Sequence, residues 1–132
     1  MPERTLKQEI GSLGEDIACN FLITKGYEVV GRNYWKKFGE IDVICRKDNE
    51  LVFVEVKSVS RDNVSRETAL DEYRPEDNVH KQKIKRVERA ILAYLQEKKV
   101  SGEQEWSFVV VTVEIDVKNK KSRVKLLKDF AF

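Results

Sequence analysis

Residues Trp106–Asp116 (WSFVVVTVEID) are nearly continuous in β-forming side chains. A strand of that kind belongs inside a sheet that is covered on both faces, as in parallel and mixed sheets flanked by helices. It argues against a helical bundle. The seventeen valines among 132 residues point the same way. The length suits one domain, residues 1–132, which buries roughly two thirds of its unfolded surface and needs no disulfide or metal to fold.

The other segments arrange themselves around that strand. Leu6, Ile10, Leu13, Ile17 and Phe21 recur at helical spacing, and Gly26 is a natural stop. Glu15 falls on the opposite side of this helix, together with Gly11, Ala18 and Leu22. That small-residue face suits either close packing with a solvated Glu15 or the docking of something at Glu15. Tyr27–Val30 reads as a short strand leading into the basic-aromatic stretch Arg32–Phe38. Gly39–Arg46 and Leu51–Ser60 read as two strands around the polar turn Lys47-Asp48-Asn49-Glu50. Residues 61–77 read as a long loop. Asn78 is a candidate N-cap for a second helix carrying Ile84, Val87, Ile91 and Tyr94/Leu95, ending near Lys99. Residues 123–132 offer a last edge strand. The expected architecture is α/β, with a mixed sheet between helices.

Charge is dense but balanced: 36% of residues are charged, with a net of +2. Such a balance neither demands nor excludes a nucleic-acid partner. No apolar stretch approaches the roughly 20 residues of a membrane span, and the N-terminus lacks the apolar core of a secretion signal. Cys19 and Cys45 stand alone, without metal-ligand spacing. A reduced, cytoplasmic protein without a membrane partner is the expectation.

The chemistry concentrates in the hairpin. With Asp48-Asn49 as the two central turn residues, Ile44 pairs with Phe53 and Asp42 with Glu55, while Glu55 and Lys57 share a face. Two carboxylates directly opposed on a sheet repel one another. With apolar neighbours they also lose hydration, and one tends to keep its proton. A divalent cation such as Mg²⁺ removes the conflict, since it accepts one or two carboxylates as ligands. The bland alternative is an ordinary Glu55–Lys57 ion pair on an exposed face.

Asp42 followed by Glu55-Val56-Lys57 at the end of an apolar strand resembles the Asp…Glu-x-Lys signature of the PD-(D/E)XK nuclease superfamily. Gly11-Ser-Leu-Gly-Glu15-Asp-Ile-Ala18, Asn33-Tyr34, Gly39-Glu-Ile-Asp42-Val-Ile44, Phe53-Val-Glu-Val-Lys57 and Lys81-Gln82 resemble the YraN-like family of small bacterial proteins. The likeness runs from about residue 6 to the end of the second helix. It implies a restriction-endonuclease-like core of helix, three strands, helix and strand, with relatives that include archaeal-type Holliday-junction resolvases. Ser58-Val59-Ser60 departs from the pattern, in which Thr or Tyr followed by Arg is commoner; Arg61 or Arg66 is the candidate substitute.

By this resemblance the chain is a Mg²⁺- or Mn²⁺-dependent nuclease acting on DNA, with branched or structured DNA among the candidate substrates. Asp42 and Glu55 would hold the metal, Lys57 would orient or help deprotonate the attacking water, and Glu15, from the first helix, would hold metal-bound water or a second metal ion. Lys81 and Gln82 would steady Glu55 or the scissile phosphate. Arg32, Lys36, Lys37 and Lys85 are candidate phosphate contacts, and Trp35 with Tyr34 would either stack on unpaired bases or pack over the hairpin. A second basic cluster, Lys118 to Lys128, is either a contact or a solvated surface. The rival readings are a non-catalytic nucleic-acid-binding module on the same fold and an adaptor that forms a homodimer through its sheet edge.

Overall fold

A computed structural model describes residues 5–61 and 81–127. The element order is α1 (Leu6–Thr24), β1 (Glu28–Lys36), β2 (Gly39–Lys47), β3 (Glu50–Arg61), α2 (Lys81–Glu97), β4 (Trp106–Asp116) and β5 (Lys121–Leu127). The five strands lie in one sheet in sequential order. β1, β2 and β3 form an antiparallel meander, β4 runs parallel to β3, and β5 returns antiparallel to β4. Two parallel neighbours need a crossover between them, and α2 lies on that connection. This is the mixed α/β arrangement expected of a restriction-endonuclease-like core.

Each sheet face has its own core. On one, Ala18, Cys19 and Leu22 of α1 pack on Val43, Cys45, Val52, Val54 and the odd-numbered residues Val109–Ile115 of β4. On the other, Val87, Ala90 and Ile91 of α2 pack on Ile44, Leu51, Phe53, Phe108 and Val110. All of β4 from Phe108 to Asp116 is buried, as its composition requires. Among the described residues no helix is long and apolar enough to cross a membrane.

Three elements differ from the sequence expectation. β1 extends to Lys36, taking in most of the basic-aromatic stretch, because Arg32, Tyr34, Trp35 and Lys36 all pair with β2. Asn33 permits this by adopting a left-handed backbone (φ 53°). α1 packs closely on the sheet through the face of Ala18 and Leu22, one of the two readings open for it, with Gly14 also buried, whereas Leu6 and Leu13 of the periodic stripe are 72% and 44% exposed. The reason is distance. A Cβ on Gly14 would lie 2.8 Å from Ser58 Cβ, so the helix backbone comes too close to β3 for a larger side chain. The second helix ends at Glu97, short of Lys99. The expected loop 61–77 beyond Arg61, the Asn78 cap and Lys128–Phe132 lie outside the described residues.

Candidate active site

The Asp48-Asn49 turn has both central residues left-handed (φ 50° and 67°). That is the signature of a type I′ turn, whose twist suits the flanking strands. It fixes the expected register: Lys47 opposite Glu50, Ile44 opposite Phe53, and Val43 opposite Val54. The ladder stops there. At the next step, where Asp42 meets Glu55, a side chain replaces the main-chain partner, and Asp42 Oδ2 accepts the Val56 N–H at 2.8 Å. β3 continues beside β4 alone, as far as Arg61. The fork left between β2 and β3 is a cleft of about 510 Å³, lined by Glu15, Glu40, Asp42, Glu55, Lys57 and Ser58 among others.

Burial gives these groups their chemistry. Glu55 is 5% exposed, and Lys57 Nζ stands 3.3 Å from its Oε1. Asp42 is held well above the ordinary carboxylate range, first by desolvation and then by the negative charge of Glu55; the Val56 N–H pulls the other way. The two carboxyls also lie within hydrogen-bonding reach of each other. Without a cation, therefore, the pair keeps a proton that two separate surface carboxylates would have lost.

Glu15 enters from α1, whose close approach at Gly14 brings it to the cleft. Arg32 of β1 spans two acids there, with Nη2 3.5 Å from Glu15 Oε1 and Nη1 2.9 Å from Asp16 Oδ1. Burial raises the Glu15 pKa, and Arg32 and a hydrogen bond from Asn33 oppose the shift. Glu15 also adds to the negative field at Asp42.

These residues fit a hard divalent cation. Among the described residues no three acidic, Cys or His side chains converge as a ready-made cage. The candidate donors are the Asp42–Glu55 pair, in which desolvation first and the charge of Glu55 second raise Asp42. One or two carboxylates plus waters and phosphate oxygens is a usual Mg²⁺ ligand set, and Ca²⁺ asks for more oxygens. Glu15 lines the same cleft from α1 and is a further candidate donor, to bound water or to a second ion.

The family model for "Uncharacterised protein family UPF0102" matches residues 14–117. This chain belongs to UPF0102. A UPF0102 protein of Thermotoga neapolitana is 41% identical over 98 residues, covering 74% of this chain and 82% of the relative. One from Caldicellulosiruptor bescii is 35% identical over 126 residues, covering 92% and 96%. The likeness to YraN-like proteins is thereby borne out. The UPF0102 match takes in Glu15, the whole fork and α2, and it stops one residue after β4.

The remaining predicted residues of this UPF0102 chain lie on β1, on the turn after it and on α2. Arg32 is turned to Glu15 and Asp16. Lys36 pairs with Glu97 at 2.9 Å and lies over the Tyr34 ring. Trp35, Lys37 and Lys85 are exposed. Lys81 and Gln82 open α2, but their side chains lie outside what is described. Sequence reasoning quoted Asn33 and Glu40 within the family motifs but gave neither a role: Asn33 hydrogen-bonds Glu15, and Glu40 lines the cleft. Asn33 left one signal: Asn tolerates the left-handed backbone that lets β1 continue.

Proposed function

We propose that this chain is a divalent-metal-dependent nuclease that hydrolyses phosphodiester bonds in DNA at a PD-(D/E)XK-type site in the β2–β3 fork. One observation carries the reading: the strand pair opens where Asp42 meets Glu55, leaving a half-buried and a buried carboxyl face to face beside Lys57. A purely structural hairpin gains nothing from that conflict, and apolar residues would serve it better.

Asp42 and Glu55 would hold the cation, which would supply Lewis-acid stabilisation of the phosphate and lower the pKa of water. The Val56 N–H fixes the Asp42 carboxyl in place. Lys57, tethered to Glu55, would hold the attacking water and stabilise charge developing on the phosphate oxygens. Glu15 would accept a hydrogen bond from water on the α1 side. The close packing of α1 at Ser58 makes one wall of the cleft.

The test is incubation of the purified chain with linear, flapped and four-way-junction DNA in Mg²⁺ or Mn²⁺, beside Glu55→Ala prepared identically. Cleavage by the wild type that disappears in chelator and in Glu55→Ala supports the reading. Equal cleavage by both proteins points to a contaminant, and DNA binding without cleavage favours the non-catalytic module.

A further inference from the structure

Trp35 is 68% exposed, and Phe38 beside it is 41% exposed. Single exposed apolar side chains are common on protein surfaces, but this pair is held on a braced hairpin. A Cβ on Gly39 would run into the Arg86 carbonyl, so the hairpin tip is seated against the α2 backbone. Arg86 Nε donates to the Phe38 carbonyl at 3.2 Å, and Lys36 is tied to Glu97. Tyr34 packs edge-on against Tyr94 at 5.3 Å behind the tip. The indole is therefore displayed outward from a fixed base, and it does not pack over the hairpin.

Its position is the second observation. Trp35 pairs directly across from Glu40, and Glu40 lines the cleft that contains Asp42 and Glu55. Cross-strand partners share a sheet face and sit about 5 Å apart, so the indole stands at the rim of that cleft. Lys37, two residues on at the hairpin tip, supplies an exposed cation beside it. An aromatic face with a nearby cation takes a nucleobase whose own face is free, with little sequence preference. Bases inside an intact duplex have no free face.

From this placement we infer that Trp35 is a stacking platform for an unpaired nucleobase adjoining the phosphate held in the cleft. The substrate class is then nucleic acid with a single-stranded or unpaired segment beside the cut. The inference rests on the nucleic-acid reading of the cleft and adds the structure that the cleft selects.

The test uses the full chain in chelator, so that binding is read without cleavage. The probes are a fully paired DNA duplex and the same duplex with a central unpaired thymidine stretch. The interrupted duplex should quench tryptophan emission, and Trp35→Phe, which keeps Trp106, should lose that quenching while keeping most of the affinity. Trp35→Ala should bind the interrupted duplex about tenfold more weakly and the paired duplex within twofold of wild type. Equal losses on both probes, absence of quenching, or an emission change driven by protein concentration alone, which would mark a contact between two copies, each overturn the inference. Cleavage of the interrupted duplex unaffected by Trp35→Ala overturns it and leaves the nuclease reading standing. Trp35-dependent selection of the interrupted duplex without any cleavage does the reverse.

Discussion

Asp42 Oδ2 accepts the backbone N–H of Val56 at 2.8 Å, so the carboxyl that heads the candidate site is also the group that ends the β2–β3 ladder. Structure and chemistry meet in one bond. The N–H that main-chain pairing leaves over is satisfied, and the Asp42 side chain is fixed against Glu55. The same bond would orient the acid toward a cation.

The metal-free protein should lose stability as pH rises because of Asp42. An aspartate in the unfolded chain ionises near pH 3.9, whereas burial and Glu55 push the folded group up to about 8. Between those values the folded state holds one proton more than the unfolded state, so stability falls with rising pH and levels off above the folded pKa. Asp42→Asn keeps an oxygen for the Val56 N–H and carries no charge. In chelator its melting temperature should match wild type near pH 4 and exceed it by several degrees or more at pH 8. Parallel melting curves across that range would contradict the assignment.

Lys57→Ala should lower cleavage by about 10²–10⁴-fold, the range for a positioned acid–base group, with DNA affinity in chelator changed less than about twofold. Single-turnover cleavage and a binding titration separate the two effects. A variant that cuts normally would take Lys57 out of the mechanism.

Gly39 in the hairpin and Gly11 in α1 should respond in opposite directions. Gly39→Ala drives a methyl into the Arg86 carbonyl and should cost about 1–3 kcal/mol, as overpacking does. Gly11 sits inside α1 with nothing within 4 Å of an added Cβ, and Gly11→Ala should gain about 0.5–1 kcal/mol from helix propensity. Chemical denaturation of the two variants in chelator reads both. A Gly39→Ala protein as stable as wild type would mean that the hairpin is not seated on α2.

Much of the fork was legible in the sequence because its determinants are local. Asp48 and Asn49 both accept a left-handed backbone, so a two-residue turn fixed the register and brought Asp42 to Glu55. The Glu-x-Lys spacing then follows from strand alternation. The α1 face was harder to read. Its periodic stripe puts Leu6 and Leu13 on the core side, but the close approach of α1 to β3 needs Gly14, and hydrophobic periodicity carries no information about approach distance. The Asp42–Val56 bond and the Arg32–Glu15–Asn33 contacts join residues from separate elements, and no local pattern announces them.

The account stands or falls on Asp42 and Glu55 taking a divalent cation, and calorimetric titration of the metal-free protein with Mn²⁺ measures that directly. At pH 7, in two buffers of different ionisation enthalpy, the wild type should bind Mn²⁺ and release close to one proton, because the proton kept by the Asp42–Glu55 pair must leave when the ion arrives. Asp42→Asn should bind far more weakly and release no proton. Millimolar Mn²⁺ that produces no binding heat in the wild type, or equal binding and equal proton release in Asp42→Asn, would contradict the account.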